Sequence, residues 1–218
     1  MSKSKNILEI RNVTKKFNTP NNKVLTACDN ISLEFEEGKI LGIVPKSYIP
    51  NYSEFYEKRW FTAAAMLTDE LVALPFQENI PFGTNLIFAA GDYKFGIEIC
   101  EDLWVTIPPS SYLSLLGANI IGNLSASNEL VSKKDYRLSL IANQSARCMS
   151  SYIYSSAGVH ESTTDLLFSG HLVISENGTI LKENNRFQRE NEVITSCIDV
   201  FKLNAERLKN LSYRDSSK

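Results

Sequence analysis

Between residues 119 and 158 a strand, a helix and a second strand follow one another without a break, and this succession limits the fold more than any other feature. NIIGNLS at 119–125 is an apolar run of strand length. Residues 132–149 fit an amphipathic helix with Tyr136, Leu140, Ile141, Ser145 and Cys148 on one side. SYIYSSAG at 151–158 reads as the next strand. Around this unit, NLIFAA (85–90) and YKFGIEIC (93–100) form a strand pair about Gly91-Asp92, and 111–117 forms a short helix. HLVISENGTILKEN (171–184) is a hairpin about Asn177-Gly178, a favoured two-residue turn. EVITSCIDV (192–200) reads as a last strand, followed by the helical KLNAERLKN. Strands alternating with helices, together with hairpins, predict a mixed α/β layered domain.

The first part of the chain has a different texture. ILEIRN (7–12) and ISLEFE (31–36) alternate apolar and polar residues as half-buried strands do, with the breaker cluster TPNN at 19–22 between them. Glu37-Gly38 reads as a turn into KILGIV (39–44), a more fully buried strand, so that 31–36 and 39–44 are expected to form a hairpin. PKSYIPNYSEFYEKRWF (45–61) has no clean period and is expected to be a long ordered loop.

Composition narrows the class of function. The chain of 218 residues suffices for one domain with a real core or two small ones, and 43% apolar with 22% charged residues is the mixture of a soluble globular protein. A net charge of −2 gives no general attraction to nucleic acid or to an anionic membrane. No run approaches the ~20 apolar residues that span a bilayer, and the polar N-terminus has no signal-peptide core. Cys28, Cys100, Cys148 and Cys197 show neither CxxC pairing nor metal-ligand spacing, so free thiols in a cytoplasmic protein are expected.

Two residues stand where chemistry is best supported. Cys100 ends a strand and is followed at once by Glu101-Asp102-Leu103-Trp104. A strand end is rigid and the turn after it exposes backbone N–H groups, which suits a nucleophile, although on spacing alone a buried structural cysteine fits better. Lys46 follows the apolar GIV and Pro45 in the aromatic loop. A lysine there favours a neighbouring thiolate and stabilises an oxyanion, although an isolated loop lysine is ordinarily solvated. His160 and His171 have no Ser or Cys partner at a telling spacing and read as structural.

Taken with their surroundings, these residues carry a resemblance. GIVPKSYIPNYSEFYEKRWF (42–61), FGIEICEDLWV (95–105), NLSASNELVSKKDYR (123–137) and ESTTDLLFSGHLVISENGTIL (161–181) resemble, in order, motifs of the glutaminase half of the NAD synthetases, a branch of the nitrilase superfamily. The likeness runs from about residue 38 to 210. It implies a nitrilase-like αββα sandwich, here incomplete at its N-terminus, and a Glu-Lys-Cys triad. Cys100 matches the nucleophile that attacks the side-chain amide of glutamine, and Lys46 matches the lysine that supports the tetrahedral oxyanion. Tyr52, Glu101, Ser127 and Lys133 match the glutamine pocket. Ammonia released from the thioester would amidate nicotinic acid adenine dinucleotide on a synthetase domain. ATP and magnesium would belong to that domain, so no cofactor is expected in this chain. The resemblance also implies association into a homo-oligomer.

The sequence departs from this pattern at both ends. The triad glutamate normally lies well before the lysine, and Glu34, Glu36 and Glu37 are too close to Lys46, so none is assigned. Loss of that base is expected to cost about 10²–10⁴ in rate. Glu54 or Glu57 could help only electrostatically. No synthetase domain is expected from this chain after KLNAERLKN, and residues 211–218 read as a polar tail. Residues 1–38 have another likeness: ILEIRNVTKKF and VLTACDNISLEFEEGKILGIV resemble the start of ABC-transporter ATPases, with Phe17 matching the adenine-stacking aromatic. No phosphate-binding loop follows, so ATP binding is not expected. The expectation is a fusion of two fragments around the shared GKILGIV; an ABC nucleotide-binding fragment and a stand-alone nitrilase-like amidase are the alternatives.

Overall fold

A computed structural model describes residues 6–18, 24–36, 38–64 and 70–216, with side chains from residue 38 onward. Phe17, Cys28, Glu34, Glu36 and Glu37 thus lie outside the described side chains. By compactness the chain divides into Met1–Ile40 and Leu41–Lys218. In the first unit, β1 (Asn6–Asn18) and β2 (Val24–Glu36) pair antiparallel. The strand at 31–36 therefore takes its partner from upstream and not from 39–44, as the sequence led us to expect. Residues 39–44 do not form a strand either. Among the described residues Ile43 makes a single bridge, to Phe82, and Leu41 is 68% exposed.

The second unit is built on a six-stranded mixed sheet. Its strands are β5 (Ile87–Ala90), β6 (Tyr93–Ile99), β7 (Ile120–Ser125), β8 (Ser151–Ser156), β9 (Leu172–Glu176) and β10 (Thr179–Glu183), in the order β10-β9-β8-β7-β6-β5. β6, β7 and β8 run parallel; the outer pairs β5–β6, β8–β9 and β9–β10 are antiparallel. Parallel neighbours need crossovers, and α1 (Pro109–Leu115) and α2 (Lys133–Arg147) supply them. Both helices start from strand ends that carry the site. The β9–β10 turn is Asn177-Gly178, with φ of 44° and 90°, the left-handed pair that a two-residue hairpin requires.

The core lies between the helices and one face of the sheet: Leu103, Leu113, Ala118, Ile121, Ile141, Tyr152, Tyr154 and Val173 form one cluster. Gly96 lets α1 approach, since a Cβ there would sit 3.1 Å from both Ile121 Cδ1 and Leu113 Cδ1. On the opposite face of β7, Leu124 is 62% exposed. The buried side of α2 differs from the expected stripe. Arg137, Ile141, Gln144, Ser145 and Cys148 are buried, while Tyr136 is 57% exposed and turns to the site. Burying Arg137 is tolerated because Glu129 and His171 pair with it.

A hairpin at β3 (Leu71–Leu74) and β4 (Gln77–Pro81) was not predicted. Residues 192–199 are irregular and mostly exposed, not a last strand; no ladder partner among the described residues receives them, and Asp199 instead caps α3 (Val200–Lys209) by accepting from the Lys202 N–H. The expected polar tail forms a short helix, α4 (Leu211–Ser216), fastened where the Tyr213 hydroxyl donates to the Ser114 carbonyl at 2.7 Å. No helix among the described residues is long and apolar enough to cross a membrane.

Candidate active site

Cys100 follows the last residue of β6 and opens a short 3-10 helix, Cys100–Leu103. Its φ is +50°, a conformation that costs a residue with a Cβ roughly 1–2 kcal/mol. Buried side chains hold it there. The Cys100 N–H donates to Asn123 Oδ1 at 3.2 Å, and Asn123 Nδ2 donates to the Tyr152 hydroxyl at 3.0 Å. Tyr152 in turn donates to Glu98, which also accepts from the Ser110 N–H at 2.7 Å. This polar chain runs through the core beneath the elbow. Burial pushes the Glu98 carboxyl above the ordinary carboxylate range, although the bonds from Tyr152 and Ser110 pull it back. Cys100 itself is 8% exposed, at the bottom of two openings.

The first opening is a cavity of about 400 Å³ that includes Tyr52, Cys100, Glu101, Trp104, Ser127 and Lys133 in its lining. All four residues expected in the glutamine pocket thus surround one space beside Cys100. They come from separate elements: Tyr52 from the loop after Lys46, Glu101 from the elbow, Ser127 from the irregular segment after β7, Lys133 from the start of α2. The Tyr52 hydroxyl donates to the Glu101 carboxylate, with oxygens at 3.0 and 3.1 Å. Burial first, then this bond and the Glu101 charge, push the Tyr52 phenol up to about 12. The Glu101 carboxyl is raised by burial, against the pull of Tyr52, Lys46 and Lys133. Lys133 donates to Asn128 Oδ1 at 2.6 Å and lies 4.9 Å from the centre of the Trp104 ring. Burial and the Arg137 charge hold its ammonium below the usual lysine range.

The second opening, about 390 Å³, is bordered by Lys46, Glu57, Cys100 and the hydroxyl-bearing Ser125, Ser155 and Ser156. Lys46 and Cys100 therefore converge on one space. The Lys46 ammonium pairs with Glu57 Oε2 at 3.3 Å, and Glu54 accepts from Asn128, linking the loop to the pocket wall. Behind that wall Glu129 accepts from Arg137, from Arg186 at 2.9 Å and from Ser169 at 2.6 Å. Burial raises the Glu129 carboxyl, but the Ser169 bond and the Arg137 charge outweigh it and hold the group low. His171 belongs to the same cluster, accepting from Arg137 Nε at 2.9 Å and facing Glu183 at 3.1 Å; His160 only meets the Arg189 carbonyl near the surface.

Sequence reasoning did not single out Asn123, Asn128 or Asp102. For Asn123 a signal existed: one amide within an apolar strand run must find buried partners.

Comparison with known proteins identifies the family. The carbon-nitrogen hydrolase family profile matches residues 14–205. The match starts at residue 14, inside the segment 1–38 for which an ABC-ATPase likeness was expected, and does not support that likeness. A glutamine-dependent NAD(+) synthetase of Mycobacterium tuberculosis is 38% identical over 191 residues, covering 86% of this chain and 28% of the relative. The chain thus spans under a third of the length of that curated relative. Among solved structures, a glutamine-dependent NAD(+) synthetase from Cytophaga hutchinsonii superposes with a TM-score of 0.58 at 24% identity, over 80% of this chain and 27% of that one. A carbon-nitrogen hydrolase from Helicobacter pylori gives 0.57 at 18% identity, over 75% and 54%. The fold is that of the nitrilase superfamily, and the chain belongs to the carbon-nitrogen hydrolase family, matching the glutaminase region of the glutamine-dependent NAD synthetases.

Proposed function

We propose that this chain is a glutamine amidohydrolase unit whose ammonia serves NAD synthesis. The observation that carries the reading is the convergence of Lys46 and the pocket residues Tyr52, Glu101, Ser127 and Lys133 on Cys100. Glutamine brings one cation, one anion and an amide. Glu101 suits its α-ammonium, Lys133 its α-carboxylate, and Cys100 its side-chain carbonyl. The Cys100 thiolate attacks that carbonyl carbon, and Lys46 stabilises the oxyanion. The C–N bond breaks, the nitrogen takes a proton and leaves as ammonia, and a thioester remains. Water then attacks the thioester carbonyl, giving glutamate and restoring the thiol.

The steps draw on protein groups and water. In this proposal ATP and magnesium belong to the synthetase reaction that consumes the ammonia. With no triad glutamate assigned, attack and deacylation lack their main proton acceptor, so turnover is slow. A nucleophile that must remain a thiol suits the reducing cytoplasm. Assembly into a homo-oligomer belongs to the same reading. The likeness of residues 1–38 to ABC ATPases remains a statement about their origin and adds no activity.

The test is ammonia release from glutamine and from a panel of other amides. Slow release confined to glutamine and lost in Cys100→Ala is expected. Preference for a different amide would favour a stand-alone amidase. Rapid turnover abolished by Cys100→Ala would keep the nucleophile and overturn the impairment.

A further inference from the structure

The lysine and the cysteine reach the site on separate pieces of backbone, and one buried carboxylate touches both. Asp102 is 1% exposed. Its Oδ2 accepts from the Ile99 N–H at 2.9 Å and from the Ser47 N–H at 3.4 Å. Its Oδ1 accepts from the Tyr48 N–H at 2.9 Å. Ser47 and Tyr48 immediately follow Lys46; Ile99 immediately precedes Cys100. All three donors are main-chain groups, so the carboxylate fixes the course of the backbone whatever the side chains are. We infer that Asp102 is a positioning residue that sets the separation of Lys46 and Cys100 by clamping the lysine loop to the nucleophile elbow. This inference rests on the reading of Cys100 as nucleophile and Lys46 as its cationic partner.

The chemistry of the clamp makes it sensitive to one atom. A carboxylate only accepts hydrogen bonds, so both oxygens can face N–H groups. In Asp102→Asn one oxygen becomes an NH₂ donor. If the remaining oxygen keeps Ile99 and Ser47, the NH₂ faces the Tyr48 N–H and the loop side opens. If it turns to Tyr48, the elbow side opens. Either way Lys46 is no longer held against Cys100. Burial raises the Asp102 carboxyl, while the N–H groups of Ile99, Tyr48 and Ser47 pull it back and favour the acceptor form that the clamp needs.

The experiment uses the full chain and measures iodoacetamide alkylation of each cysteine by mass spectrometry across pH, alongside thermal melting. Lys46→Met should slow Cys100 alkylation about tenfold near neutral pH. Asp102→Asn should do the same, leave Cys197 unchanged, and add nothing in the double variant, because both act through one contact. Should Asp102→Asn fail to fold, Tyr48→Pro removes the shorter loop-side donor and is read by the same outcomes. Wild-type Cys100 kinetics in either folded variant, or additive effects in the double variant, would overturn the clamp. If Lys46→Met itself leaves Cys100 unchanged, the underlying reading of the site fails instead.

Discussion

The site has a half built on the sheet and a half built on a loop, and the two are held by different means. Cys100 sits at the end of a central strand, and its strained backbone is tied through Asn123, Tyr152 and Glu98 to the packed core. The wall behind Lys133 is likewise internal, with Arg137, Glu129 and His171 closing on one another. Lys46, Tyr52, Glu54 and Glu57 lie instead on a stretch whose only regular piece is a single 3-10 turn, Glu57–Arg59. That stretch is fastened by polar contacts to the sheet-borne half: Tyr52 to Glu101, Glu54 to Asn128, and the main chain at Ser47 and Tyr48 to Asp102. Breaking the first half should therefore cost stability, whereas breaking the second should cost chemistry with little change in melting.

The largest effect falls on the loop. Lys46→Met removes the cation that the proposed mechanism sets against the oxyanion, and thioester formation from glutamine, trapped with hydroxylamine, should slow about 10²–10³-fold with the melting temperature held. A large loss of stability would show that Lys46 is structural.

Next comes the wall. His171 is held down to about 4 from its ordinary 6.5, by burial first and then by the Arg137 charge. The fold favours the neutral ring, so its contribution is fully present above pH 6.5 and is lost as pH falls through about 4. The raised carboxyls of Glu98, Glu101 and Asp102 act in the opposite sense, stabilising at low pH and less so as pH rises. The difference between wild type and His171→Gln isolates the histidine. In urea titrations the wild type should lose up to about 3 kcal/mol more than the variant across that window. Parallel curves would mean that the ring does not titrate there.

A smaller loss is expected at the elbow. Asn123→Ala leaves the Cys100 N–H and the Tyr152 hydroxyl without their partner and should cost about 1–3 kcal/mol of unfolding free energy. The smallest effect returns to the loop. Tyr52→Phe removes the bond to Glu101 at an exposed position. It should raise the glutamine concentration that protects Cys100 from alkylation about threefold to tenfold, again without a change in melting.

The sheet-borne half was also the more legible in the sequence. NIIGNLS, the helix after it and SYIYSSAG declare themselves by period, and Cys100 by its place at a strand end. The segments misread, 39–44 and 192–199, are apolar enough for strands but find no ladder, and a ladder is a tertiary fact. Tyr136 and Arg137 exchange places for a similar reason. Period alone assigns the aromatic to the core, yet Glu129 and His171 neutralise the cost of the arginine, and the ring is drawn to the pocket. Lys46 and the pocket residues could be found through the resemblance of whole motifs, because no local rule separates a site lysine from a solvated one. The acceptor role of Asp102 was hidden because its partners are main-chain N–H groups, which leave no mark on composition.

The central claim is that Cys100 is the nucleophile of a glutamine site. The most direct test is site-mapped iodoacetamide labelling of the full chain with and without glutamine. Cys100 should be labelled ahead of Cys148, which is buried, and of Cys197, which is exposed but has no described cationic partner, and glutamine should protect Cys100 alone. Preferential labelling of Cys148 or Cys197, or labelling of Cys100 that glutamine leaves unchanged, would contradict it.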